Sequence, residues 1–265
     1  MGYGKEASEG RQGSDGGATV LVVGATGSIG RHVVAEALRV GFQTRALVRE
    51  PGQVSLFPEG TRVIVGDPAR SESIAGALDG VTGVVFTQGT YRDADAEQAN
   101  YRPVRAVLNA LKKPARIALM TALGVTSPTP GHDWKRRGER LVRASGLPYT
   151  IVRPGWFDYN KPDEHRLVFR QGDTHLAGNA SDGAISRRQI ARVLVASLTS
   201  DAADRKTFEL VAEPGEAQAE LDPLFAALQP DAELDGPRDR ENLPLNAQPE
   251  DFIGDLDAVR GLFAV

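Results

Sequence analysis

An apolar run that turns on three glycines into an amphipathic helix limits what this chain can fold into more than any other feature. Residues 19–30 read Thr-Val-Leu-Val-Val-Gly-Ala-Thr-Gly-Ser-Ile-Gly. Val20 to Val23 is short and rich in β-branched residues, the composition of a strand buried on both faces of a parallel sheet. Gly24, Gly27 and Gly30 follow at G-x-x-G-x-x-G spacing, which serves a tight bend, a close approach of backbone to phosphate, and close packing of helix on sheet. Ile29, Val33, Val34, Ala37 and Leu38 then recur on one helical face, and Gly41 sits where a left-handed C-cap is expected. A helix N-terminus in this setting is an anion site, and the strand before and helix after it point to a dinucleotide rather than a plain turn.

Composition narrows the partners. A net charge of -4 with no basic tail argues against nucleic acid, and the lack of cysteine removes disulfides, thiol nucleophiles and sulfur-ligated zinc. His32, His132, His165 and His175 show no metal-ligand spacing, so no metal is expected. Residues 1–18 are rich in Gly, Ser and charge without an apolar stretch, and read as a disordered lead-in rather than a signal peptide or a membrane span. The expectation is a cytoplasmic protein with no membrane partner.

The strand-helix rhythm continues. Strands are expected at Gln43–Val48, Thr61–Val65, Val81–Thr87, Arg116–Thr121 and Tyr149–Val152, with helices at 71–78, 94–113 and from Lys135 to about Gly146. Pro103 must kink the second of these helices or mark its first turn. The spacing of Trp134, Gly138, Leu141, Val142 and Ser145 marks the buried face of the third. Arg136, Arg137, Arg140 and Arg143 fall on its other faces and read as solvated surface. Beyond Trp156 the pattern loosens into a hairpin at Leu167–Leu176, a helix at Arg187–Leu198, a strand at Thr207–Ala212, and helices at Ala219–Leu228 and Pro249–Phe263. The expected organisation is α/β, a Rossmann-like doubly wound parallel sheet over residues 19–157, with a small C-terminal substrate-capping region over residues 158–265 integrated with it.

Arg49 ends the second strand, where dinucleotide folds face the adenosine ribose. An acidic residue there would accept hydrogen bonds from a 2′-hydroxyl, whereas Arg pairs with a 2′-phosphate, so NADP(H) is favoured over NAD(H). The competing reading is a solvated strand-end charge beside Glu50. Asp67 caps the following helix or faces the ligand. Thr87 and Gly89 fall at the carboxyl end of the fourth strand, the edge where open parallel sheets bind ligands.

Gly24-Ala-Thr-Gly-Ser-Ile-Gly30, Leu47-Val-Arg49, Gly66-Asp67, Ser145-Gly-Leu-Pro-Tyr-Thr-Ile-Val-Arg-Pro-Gly155 and Ile185-Ser-Arg-Arg-Gln-Ile-Ala191 together resemble the atypical short-chain dehydrogenase/reductases with NmrA-like members. The resemblance covers roughly residues 19–213. It implies that Gly24, Thr26, Gly27, Ser28, Ile29 and Arg49 hold NADP, with Asp67 by the adenine and Pro154-Gly155 near the nicotinamide. Lys135 looks like the lysine of the family's Tyr-x-x-x-Lys pair, and so belongs to both the cofactor and the catalytic set.

The departures concern proton transfer. Four residues before Lys135 stands Gly131 instead of tyrosine, and no serine follows the fifth strand until Ser127. Thr121 could supply a hydroxyl or simply bond within its strand-end turn. Tyr159, Tyr91 and Asp158 are further donors to weigh against packing roles, and Trp156 and Phe157 form either a flat aromatic wall or core. Three readings stay open: an NADPH-dependent reductase of a small carbonyl, quinone or polycyclic aromatic substrate, a polyketide-tailoring hydroxylase on the same fold, or a non-enzymatic NADP sensor of the NmrA type. The expected state is a monomer or small homo-oligomer.

Overall fold

The computed structural model describes residues 17–260 and 262–263, so the lead-in lies outside them except for Gly17 and Ala18. Six parallel strands, β1 (Thr19–Val23), β2 (Gln43–Val48), β3 (Arg62–Val65), β4 (Gly83–Phe86), β5 (Arg116–Met120) and β6 (Tyr149–Pro154), stand in the order β3-β2-β1-β4-β5-β6. The reversal of direction at β1 and β4 opens a crevice at their carboxyl ends, the position at which such sheets bind ligands.

Strand alternation sorts the core into two layers. Val20 and Val22 of β1 face one cluster with α1 (Gly30–Arg39), whereas Leu21 and Val23 face the other. The second cluster is covered by α2 (Ser71–Ile74), α3 (Arg102–Ala110) and α4 (Pro130–Ala144). Pro103 sits in the first turn of α3, where its missing N–H costs nothing, and the expected start of that helix is instead a π-helical turn at Glu97–Tyr101.

Past β6 the chain adds β7 (Trp156–Phe157), β8 (Arg166–Arg170), β9 (Ala184–Ile185), α5 (Arg187–Ser197) and β10 (Lys206–Glu213). β10 extends the sheet parallel to β6. The hairpin expected at Leu167–Leu176 does not form: β8 pairs antiparallel with β10 instead. The helix expected at Ala219–Leu228 shortens to α6 (Asp222–Ala226), and the last helix is α7 (Glu250–Val259), which packs with α3 and α4.

The four arginines of α4 overturn the reading as solvated surface. All are buried, because the segment from Asp231 to Gln248 runs across that face and supplies their partners. Arg140 makes a forked contact with Asp235, with Nε to Oδ1 at 3.0 Å and Nη2 to Oδ2 at 2.7 Å. Arg136 donates to Asp235 and Asn242, and Arg143 Nε donates to Asp231 at 2.8 Å. Arg137 lies 4.4 Å from the Trp134 ring centroid and donates to Gln248. Part of the expected substrate cap is therefore a strap over α4.

Candidate cofactor and substrate site

The glycine turn divides its tasks as its spacing suggests. Gly24 has φ +81°, and a Cβ there would stand 2.5 Å from the Gln88 backbone nitrogen. A Cβ on Gly30 would fall 2.2 Å from the Gly24 carbonyl oxygen, so α1 packs directly on the turn. Gly27 is exposed beside Ser28, and a Cβ there would meet only the Gly24 carbonyl, at 3.2 Å. Gly27 and Ser28 thus form the open rim. Ile29 is buried in the core, which leaves only its backbone for a ligand, while Thr26 is half-buried in the turn.

Thr87 locks the turn to the end of β4: its Oγ1 donates to the carbonyls of Val23 and Gly24 at 3.1 and 3.2 Å. Next to it, Gln88 Oε1 is buried without a hydrogen-bond partner among the described residues, an unmet acceptor beside the turn. The open rim, the positive-φ glycine and this orphaned oxygen fit a dinucleotide. Arg49 follows β2 on the same edge, exposed and in no ion pair among the described residues. Asp67 Oδ1 accepts from the Ala69 N–H at 3.0 Å and its own N–H donates to Ser73 Oγ, so this exposed carboxylate is already engaged in turning the chain into α2.

Lys135 is buried between the end of β4 and α4. Its Nζ donates to the Thr90 carbonyl at 3.2 Å and lies 4.7 Å from the Tyr91 ring centroid. Burial pushes its pKa down to about 8. Asn100, which no spacing in the sequence marked out, holds the same corner: its amide donates to the carbonyls of Thr90 and Gly131 and accepts from the Thr90 N–H at 2.8 Å. A side chain on Gly131 would start 4.0 Å from the Thr90 carbonyl.

A cavity of about 650 Å³ opens beyond this corner, within the range of small-molecule sites. Tyr91, Trp156, Phe157, Tyr159, Ser127 and His132 are among its walls. Trp156 and Tyr159 meet edge to face with centroids 6.1 Å apart, and both are exposed, so they form a wall, while Phe157 reaches the core as well. His132 Nδ1 lies 3.0 Å from the Ser127 carbonyl oxygen.

Pro154 and Gly155 line the cavity, yet the glycine answers a packing need, since a Cβ there would fall 2.4 Å from the Gly183 carbonyl oxygen. Thr121 stands apart. Its Oγ1 donates to Glu139 Oε1 at 2.7 Å, neither into the cavity nor within its own turn.

Glu139 is fully buried and belongs to the structural side of α4. Burial alone would raise its pKa, but Arg153 and Arg143 hold it down to about 2. Arg153 grips it through Nε at 3.1 Å and Nη2 at 2.7 Å, and also pairs with Asp239 of the strap.

The comparisons agree with this geometry. A family model described as NAD(P)H-binding matches residues 24–201. Photosystem II assembly factor Ycf39 of Cyanophora paradoxa is 34% identical over 143 residues, 51% of this chain and 44% of that protein. An NAD(P)H azoreductase of Xenophilus azovorans is 26% identical over 215 residues, 78% of this chain and 73% of that enzyme. The chain thus spans less than half the length of the Ycf39 protein. A short-chain dehydrogenase/reductase (wide type) from Veillonella parvula, solved with NADP, superposes with a TM-score of 0.56 at 18% identity, covering 76% of this chain and 97% of that one, which speaks for the fold. With its glycine turn, its strand order and a family match reaching from Gly24 to Asp201, the chain belongs to the NAD(P)H-binding family of Rossmann-fold proteins.

Proposed function

We propose that the protein is an NADPH-dependent oxidoreductase that reduces a small carbonyl, quinone or polycyclic aromatic substrate. The observation that carries the reading is the aromatic-walled cavity that adjoins the corner held by Lys135, on the sheet edge that bears the glycine turn. The azoreductase named above supports it as a relative that uses NAD(P)H. The nicotinamide supplies a hydride. The chain's own residues bind the dinucleotide on the turn, present a flat substrate against Trp156 and Tyr159, and hold a proton nearby.

With Gly131 in place of a tyrosine, the phenols at the cavity wall are Tyr91 and Tyr159. Tyr91 is the one under a cation, and we assign it the proton, with Lys135 setting its charge environment. Arg49 takes the 2′-phosphate, since it stands exposed at the end of β2 and is in no ion pair among the described residues.

Isothermal titration tests the cofactor: NADPH binds about tenfold more tightly than NADH, and Arg49→Ala brings the two together. Equal affinities in the unmutated protein would remove the Arg49 assignment. Incubation of quinones and polycyclic phenols with NADPH and oxygen, scored by product mass, yields reduced products; hydroxylated ones would favour the tailoring reaction, and none would favour a sensor.

A further inference from the structure

Arg187 joins the glycine turn to the substrate cavity. It opens α5 behind the Ser186 cap, and its Nε donates to Ser28 Oγ at 3.0 Å, on the exposed rim of the turn. Its Nη1 pairs with Asp158, and its guanidinium lies 5.4 Å from the Phe157 ring centroid at the cavity wall. Asp158 also accepts the Arg187 backbone N–H at 3.0 Å, from a backbone at φ +58°. That left-handed conformation is sparsely used by residues other than Gly, Asn and Asp.

We propose that Arg187 is a phosphate-binding residue, and that Asp158 is the internal carboxylate it releases when the phosphate arrives. A guanidinium presents a planar fork that matches a carboxylate or a phosphate equally well. Here the fork spans a hydroxyl of the dinucleotide turn and a carboxylate on the cavity side. The pair it would give up is 31% and 47% exposed, so little stability is lost in the exchange. Asp158 lies between Phe157 and Tyr159, both at the cavity, so its release is felt where the substrate sits. Two sources can bring the phosphate: the cofactor's diphosphate, or a phosphate carried by the substrate. The first source rests on the reading of the turn as an NAD(P)H site; the second does not.

Calorimetric titration of the full chain with NADPH, and with phenyl phosphate in the absence and presence of saturating NADPH, separates these cases. Arg187→Gln weakens NADPH about tenfold or more if the diphosphate is the source. If the substrate is the source, the same variant leaves NADPH unchanged and loses phenyl phosphate. Wild-type protein that binds phenyl phosphate but not NADPH would sink the cofactor reading and keep Arg187. Unchanged binding of both probes in Arg187→Gln, or binding of neither by the wild type, overturns the proposal. Asp158→Asn keeps the cation, and guards against a folding defect in the first variant. It is expected to bind the phosphate several-fold more tightly, and a loss matching Arg187→Gln would make the pair structural and overturn the exchange.

Discussion

The two sides of α4 carry cations in opposite circumstances. On one side Lys135 is buried with, among the described residues, a carbonyl and an aromatic ring for company, and its pKa falls to about 8. On the other, Arg136, Arg140 and Arg143 are as deeply buried, yet each meets a carboxylate from the strap or from Glu139. A buried cation whose charge is met holds a structure together. One whose charge is unmet is left near the pH at which it can trade a proton.

The largest effect that tests this contrast comes from the met side. Glu139→Gln leaves Arg153 and Arg143 short of a buried counter-charge, which costs about 3–5 kcal/mol and lowers the melting temperature by roughly 10 °C. Because the folded Glu139 titrates near 2, below its ordinary 4.5, its contribution is complete above pH 4.5 and is lost as pH falls towards 2. Thermal melts across that window should be steep for the unmutated protein and flatter for the variant. An unchanged melting temperature would make the cluster decorative.

On the unmet side, Lys135→Ala is expected to lower kcat about 100-fold while weakening cofactor binding far less. The cation is present below pH 8 and lost above, so the proposed reductase rate of the unmutated protein is expected to fall as pH rises through about 8. A rate independent of pH from 7 to 9 would return Lys135 to a packing role.

The smallest effect belongs to Glu209, a buried carboxyl at the edge of the strap cluster. Burial pushes its pKa up to about 8, and its Oε1 has no hydrogen-bond partner among the described residues. A carboxyl raised in this way stabilises least when ionised, so its cost grows as pH rises from 4.5 to 8. Glu209→Gln should melt a few degrees higher than the unmutated protein at pH 9 and equally at pH 5. A lower melting temperature at both would show the carboxylate to be needed.

The same contrast divides what was legible in the residues. The glycine turn could be read because its requirements are local: Gly24 needs a positive φ, Gly30 needs contact, and both fall at fixed spacing. The strands themselves followed from apolar runs of the right length. The arginines of α4 misled because a charge at helical spacing looks solvated unless its partner is known, and those partners lie in a stretch without regular structure. Asp231, Asp235 and Asp239 recur every four residues, as Arg136 and Arg140 do, and that acidic spacing was the available signal. Asn100 left none, and Arg187 stood only as one letter of the Ile185–Ala191 motif with no role attached, since each acts by reaching across to another loop.

A ribosome makes the arginines of α4 and β6 well before their acids: 88, 95 and 99 residues separate Arg143 from Asp231, Arg140 from Asp235 and Arg136 from Asp235. Until the strap emerges, a nearly complete sheet carries a helix whose outer face is cationic, and among the described residues Glu139, with Glu209 at 3.9 Å from Arg153, offers the counter-charge. The nascent chain is thus most exposed to non-native pairing, or to capture by polyanions such as ribosomal RNA, during the synthesis of residues 153–231, and the arrival of the strap ends that interval.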